Sequence, residues 1–148
     1  EPRFILDDTE IKRGGSSYMV DTLKSLRQDF PQHPLCLLLG MDAFLGLDRW
    51  YHWQELLDYA HIIVSQRPDT DFNCMQQWPI AIQDLYKKYK ADRQSIRETL
   101  CGMIRLEAVT QLSISATDIR HRVKNKQSIR YLMPESVINL IKCNHLYI

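Results

Sequence analysis

Glycine is scarce in this sequence, at 5 of 148 residues. No Gly-rich loop of the kind that cradles a phosphate occurs. With only 6 prolines as well, the composition argues against a linker or a collagen-like repeat. Charge of one sign is also lacking. Lys and Arg number 19 against 18 Asp and Glu, a net charge of +1, so no global field draws nucleic acid or an anionic membrane. No apolar run approaches the roughly 18–20 residues that span a bilayer, and the charged first residues do not read as a secretory leader. The four cysteines, Cys36, Cys74, Cys101 and Cys143, have no CxxC or zinc-knuckle spacing. Cys36, inside the apolar run Leu35–Leu39, reads as a buried reduced thiol. Together these features point to a reducing cytoplasm, with a disulfide left open. The histidines His33, His52, His61, His121 and His145 show no HxxxH or HExxH metal spacing. No serine or cysteine nucleophile motif appears.

What is present is an ordered alternation of elements. A chain of this length fits one domain and can bury a core without a staple. Phe4-Ile5-Leu6 is a short strand-like run ending in the charged turn Asp7-Asp8. Gly14-Gly15-Ser16-Ser17 breaks the chain and offers serines as helix caps. Met19, Leu23, Leu26 and Phe30 then share one helical face, which Pro31 and Pro34 end. Leu35–Gly40 is continuously apolar, the pattern of a parallel strand buried on both faces. Trp50, Trp53, Leu56, Leu57 and Ala60 fall at helical spacing, and Ile62–Val64 is a second β-branched run. Arg67–Trp78 is polar and loop-like. Pro79 suits a first helical position, followed by a helix carrying Ile82, Leu85, Tyr86 and Tyr89. Ile104–Val109 reads as a further strand. Helices over about 116–124 and 134–144 close the chain. The expectation is an α/β fold, a parallel sheet with helices on both faces. Ligands in such sheets bind beyond the carboxyl ends of the strands.

Two of those ends carry candidate chemistry. Gly40 allows close backbone approach, and Asp42 can accept from ribose hydroxyls; an ordinary strand-to-helix turn with Asp42 as cap is the blander reading, and the one spacing alone favours. Ser115 and Asp118 have capping-box spacing. Hydroxyls and free N–H groups at a helix start suit an anion, and Arg120 can add a bidentate charge. A plain capped helix is again the favoured default. Trp50 and Trp53 read as core, and His52 as a surface residue. Arg120, Arg122, Lys124, Lys126 and Arg130 read as a solvated face or, more sharply, a phosphate-binding rim. Asp7, Asp8 and Glu10 read as a turn sooner than as ligands of a divalent ion.

The order of six segments is more specific than any one of them. Lys12-Arg13-Gly14-Gly15-Ser16-Ser17-Tyr18-Met19-Val20-Asp21-Thr22-Leu23, Gly40-Met41-Asp42-Ala43-Phe44, Trp50-Tyr51-His52-Trp53-Gln54-Glu55-Leu56-Leu57, Gln66-Arg67-Pro68, Ile114-Ser115-Ala116-Thr117-Asp118-Ile119-Arg120 and Tyr131-Leu132-Met133-Pro134 follow one another. The series resembles the bacterial nicotinate-nucleotide adenylyltransferase family of NAD biosynthesis over nearly the whole chain, the stretch from about 69 to 103 excepted. The resemblance implies a Rossmann-like nucleotidyltransferase fold. It implies adenylyl transfer from ATP, with Mg2+ on the triphosphate, to nicotinate mononucleotide, and partners that include neither nucleic acid nor membrane. Gly40 and Asp42 look like contacts to the adenosine ribose. Ser115, Thr117 and Arg120 look like the triphosphate site and the catalytic groups. Trp50 looks like the residue stacking on the nicotinate ring, with Tyr51 beside it. Arg67 resembles a residue near the mononucleotide phosphate. Ser17, Tyr18 and Met19 resemble the loop that reads the nicotinate carboxylate, where Met19 replaces the usual Thr. On this basis 1–148 is one nucleotidyltransferase domain, with βα units over 1–110 and the phosphate-binding turn and C-terminal helices over 111–148.

The family's GxFxPxHxGH segment does not occur here, and its first two strands have no counterpart. The expectation is a partial domain with an inactive isolated 1–148 segment, an unpaired Phe4–Leu6 and a bare apolar edge at Leu35–Leu39. The other readings are an adenylyltransferase for nicotinamide mononucleotide or phosphopantetheine, and a non-catalytic nucleotide-binding fragment.

Overall fold

The computed structural model describes residues 4–66, 72–109 and 114–147. The chain forms two compact units, Glu1–Thr110 and Gln111–Ile148, each with its own apolar cluster.

In the first unit the helices are α1 (Thr9–Arg13), α2 (Met19–Asp29), α3 (Met41–Leu45), α4 (Leu56–Tyr59), α5 (Ile80–Tyr89) and α6 (Arg93–Glu98). The strands are β1 (Cys36–Gly40), β2 (His61–Gln66) and β3 (Ile104–Ala108). Short 3-10 turns cover Leu47–Arg49, Trp53–Glu55 and Phe72–Gln77. The three strands form one parallel sheet in the order β1-β2-β3. Leu37 pairs with Ile62 and Leu39 with Val64; Ile62 in turn pairs with Ile104 and Val64 with Leu106. Side chains alternate along a strand, so these six share one face. Val20 and Leu23 of α2, Phe44 of α3, Leu56 and Leu57 of α4 and Ile82 of α5 complete the cluster with them.

The α/β class and parallel sheet are as expected, and several details differ. Phe4–Leu6 forms no strand. Phe4, Ile5 and Leu6 are 83–92% exposed, and among the described residues no strand runs beside them to complete a ladder. Cys36 is exposed rather than buried. β1 lies at an edge of the sheet, and its burial alternates: Leu39 is covered while Leu38 is 73% exposed. The continuous apolar run therefore does not mean burial on both faces. No single helix spans Trp50–Ala60. Trp50–His52 form a turn, because His52 adopts a left-handed φ of 49° that ends any regular helix there. Pro79 is the N-cap of α5, with an extended ψ of 137°, rather than its first helical residue. Helix α6 has only Ile96 buried. Apolar periodicity therefore does not announce it, and it starts on the Asp92 carboxylate, which accepts from the Ser95 N–H at 2.8 Å.

The second unit contains α7 (Ala116–Lys124) and α8 (Glu135–Cys143). Ile119, Ile129, Ile138 and Ile141 form its core. Pro134 caps α8 from outside. Among the described residues no helix is long and apolar enough to cross a membrane.

Candidate functional site

Sequence-distant segments of the first unit meet at one cleft of about 280 Å³. Glu10, Ser17, Tyr18 and Met19 line it on one side, Trp50 and Tyr51 on the other. The chain reaches the first wall through Gly14 and Gly15, whose φ values of 66° and 73° suit glycine. The second wall depends on the left-handed His52. Its Nδ1 pairs with one carboxylate oxygen of Glu55, while the other oxygen takes Lys24 of α2 at 3.0 Å. The His52 ring and then Lys24 hold Glu55 below the usual carboxylate range. Tyr18 and Tyr51 stack directly on each other where the two walls meet, with ring centroids 4.3 Å apart and planes 30° from parallel. Trp50 packs partly against the core, as does Trp53; Trp50 alone of the two also lines the cleft.

Neither Ser16 nor Ser17 caps α2. The N-cap is Tyr18, and no side chain takes the free N–H groups of the first turn. Ser17 instead donates its hydroxyl to Glu10. A second hydroxyl, that of the buried Thr22, donates to the other oxygen of Glu10 at 2.5 Å. Arg13 donates to Thr22 Oγ1 at 3.4 Å. The Ser17 hydroxyl and then that of Thr22 hold the Glu10 carboxyl below its ordinary value. The sequence pattern offers Glu10 as a turn residue or, less readily, a ligand of a divalent ion, and neither reading points to these hydroxyls. The available signal was a polar Thr22 set between the apolar Val20 and Leu23. Asp7 accepts from the Thr9 N–H at 2.9 Å and Asp8 pairs with Lys12 at 2.8 Å, so these carboxylates have local partners.

At the carboxyl end of β1, Gly40 is the N-cap of α3 with φ −75°. Its backbone does not require glycine, and a Cβ there would meet no protein atom within 4 Å. A close-approaching ligand is a reason for glycine that the fold itself does not supply. Asp42 sits in the first turn of α3 and is exposed; no side-chain cap bond is made, so it is not the cap. Arg67 lies outside the described residues.

In the second unit, Ser115 is the N-cap of α7 and accepts from the Asp118 N–H at 3.0 Å. Only half of a capping box forms, because the Asp118 carboxylate pairs with Arg122 Nε at 2.7 Å. That pairing draws negative charge away from the helix start. Arg120 donates to Thr117 Oγ1 at 3.4 Å, and both are exposed. Ser115, Thr117 and Arg120 thus gather at one helix end with open N–H groups. Replacing Ser115 by alanine should cost about 1 kcal/mol, read as faster amide exchange in the first turn of α7. Of the basic stretch, Arg122 is paired, Arg130 lies 5.4 Å from the Tyr131 ring centre, and Lys124 and Lys126 are exposed.

The model of the cytidylyltransferase-like family matches residues 1–122. A probable nicotinate-nucleotide adenylyltransferase of Methylococcus capsulatus is 41% identical over 97% of this chain and 67% of its own length. One from Acidithiobacillus ferrooxidans is 40% identical over 99% of this chain and 66% of its own. The chain spans about two thirds of the length of the curated relatives it matches. The solved nicotinic acid mononucleotide adenylyltransferase of Plasmodium falciparum, complexed with APC, superposes with a TM-score of 0.61. It covers 97% of this chain and 64% of its own at 18% identity, a likeness of fold.

Proposed function

The chain belongs to the nicotinate-nucleotide adenylyltransferase family, within the cytidylyltransferase-like group, and from that premise we propose that the whole protein transfers the adenylyl group of ATP to nicotinate mononucleotide. A phosphate oxygen of the mononucleotide attacks the α-phosphorus. A new P–O–P bond forms, the bond from the α-phosphorus to the β-bridging oxygen breaks, and pyrophosphate leaves with that electron pair. The product is the deamidated dinucleotide. No protein nucleophile is needed, so the side chains position the reactants and stabilise charge.

The observation that carries this reading is the cleft walled by Ser17–Met19 and Trp50–Tyr51. Its aromatic side suits a flat pyridine ring. Its opposite side is the start of α2, where free N–H groups and the helix dipole suit a carboxylate. Met19 is the first residue of that helix. The donor it offers is its backbone N–H, which the exchange of Thr for Met leaves in place. Gly40 and Asp42 are assigned to the adenosine ribose, and Ser115, Thr117 and Arg120 to the triphosphate. Mg2+ is assigned to the triphosphate itself, as suits a cation held mainly through substrate phosphates. Among the described residues no three His, Cys, Asp or Glu side chains cluster to hold a metal.

The test is pyrophosphate release by the full-length protein from ATP with the acid or the amide mononucleotide. Faster turnover of the acid is expected. Faster turnover of the amide moves the assignment to nicotinamide mononucleotide, and turnover of neither leaves a nucleotide-binding role.

A further inference from the structure

Helix α1 buries none of its residues, and Ile11, its one aliphatic side chain, is 84% exposed. Apolar packing therefore does not hold it in place. The chain leaving it passes through Gly14 and Gly15, around which a Cβ would meet open space. Packing does not hold that turn either. What ties this segment down is polar. Arg13 donates to Thr22, Thr22 donates to one oxygen of Glu10, and Ser17 donates to the other. Thr22 is only 9% exposed, where a hydroxyl without a partner is costly. One carboxylate thus clamps two segments, the Ser17 loop and the α2 start, which together make one wall of the cleft.

We propose that Glu10 is a positioning residue and specificity determinant of the mononucleotide pocket: through Ser17 and Thr22 it fixes the place of the Ser17–Met19 wall relative to Trp50 and Tyr51. The inference rests on the reading of this cleft as the pyridine site. The proposed role of Glu10 is exerted through Ser17 and Thr22, the two hydroxyls it accepts from. Its two hydroxyl donors also offset a charge that otherwise opposes a substrate carboxylate in the same cleft. Those same donors hold its carboxyl below the ordinary glutamate value.

The experiment compares Glu10→Ala, Glu10→Gln and Thr22→Val in the full-length protein. In Glu10→Ala the KM for nicotinate mononucleotide should rise about tenfold or more, while kcat and the KM for ATP move less than about twofold. The acid-over-amide ratio of kcat/KM should fall. Glu10→Gln retains an acceptor oxygen and should stay within about threefold of the unchanged protein; Thr22→Val should raise the same KM severalfold. Tryptic cleavage after Arg13 should quicken in Glu10→Ala, and the thermal midpoint should fall by a few degrees, because the buried Thr22 hydroxyl loses its acceptor. Should Glu10→Ala not fold, Glu10→Gln and Thr22→Val carry the comparison. An unmoved mononucleotide KM, or equal rises for both substrates, overturns the proposal while turnover by the unchanged protein upholds the site. No turnover of the mononucleotide by the unchanged protein overturns both.

Discussion

Arg120→Ala should lower kcat for adenylyl transfer about 100- to 1,000-fold, with the fold's stability moving by less than about 0.5 kcal/mol. The two halves of that expectation have separate causes. Arg120 is exposed on α7, and among the described residues its guanidinium meets only the Thr117 hydroxyl, at 3.4 Å. Little folded-state contact is lost on truncation. On the proposed assignment to the triphosphate, the reaction asks far more of it. Negative charge concentrates on the transferring phosphoryl oxygens and on the leaving pyrophosphate, and a planar five-donor fork placed there acts with no reorganisation at the moment of bond breaking. The proposal gives Ser115, the N-cap of α7, and the open N–H groups beside it the same task. Arg120→Lys keeps the charge and loses the fork, so it should fall between the two. The measurement pairs steady-state pyrophosphate release with thermal unfolding. A variant that keeps its kcat removes Arg120 from the triphosphate site, and one that loses both kcat and several degrees of stability assigns it a structural role instead.

The sequence made some of this legible because short-range chemistry decides it. The helix over about 116–124 was readable, and its start in particular, since Ser115 caps it and the Asp118 N–H completes the bond. The strands β1 to β3 were readable because Leu35–Leu39 and Ile62–Val64 are short apolar runs and Ile104, Leu106 and Ala108 alternate with Arg105 and Glu107. Trp50–Ala60 was misleading. Its apolar spacing is helical, but the left-handed His52 is fixed by a side-chain pair with Glu55 and through it by Lys24 on α2, a tertiary fact. The edge position of Leu35–Leu39 was expected, but the exposure of Cys36 and Leu38 was not, because an apolar run does not say whether both faces of its strand are covered. The meeting of Ser17–Met19 with Trp50–Tyr51 followed from a family resemblance, not from periodicity. Glu10 was missed because its partners lie 7 and 12 residues away, across a glycine turn.

The largest expected loss of stability from one side chain outside the apolar core is at Arg27. Arg27→Ala should cost about 3 kcal/mol and lower the thermal midpoint by roughly 10 °C. The guanidinium donates to four backbone carbonyls: Tyr59 through Nη2 at 2.6 Å and Nε at 3.1 Å, Leu100 at 2.7 Å, His33 at 2.8 Å and Phe30 at 3.1 Å. These carbonyls belong to the end of α4, the turn after α2, and the loop between α6 and β3. One side chain therefore fastens three connections around the amino ends of the strands. Tyr59 is the last residue of α4, so its carbonyl has no partner within the helix, and a cation at a helix end is favourable. The cost stays below the sum of five charged hydrogen bonds for two reasons. The Phe30 carbonyl also accepts from the His33 N–H and that of Leu100 from the Leu35 N–H, both at 3.3 Å. Arg27 is also only partly buried, so water reaches some of the groups left behind. Arg27→Lys should recover less than half, because one ammonium on a single stem cannot reach acceptors spread around a planar fork. Urea unfolding of the full-length protein measures both variants. A loss under about 1 kcal/mol in Arg27→Ala shows that water replaces the fork, and full recovery in Arg27→Lys shows that charge at the end of α4, not the shared geometry, holds the three connections.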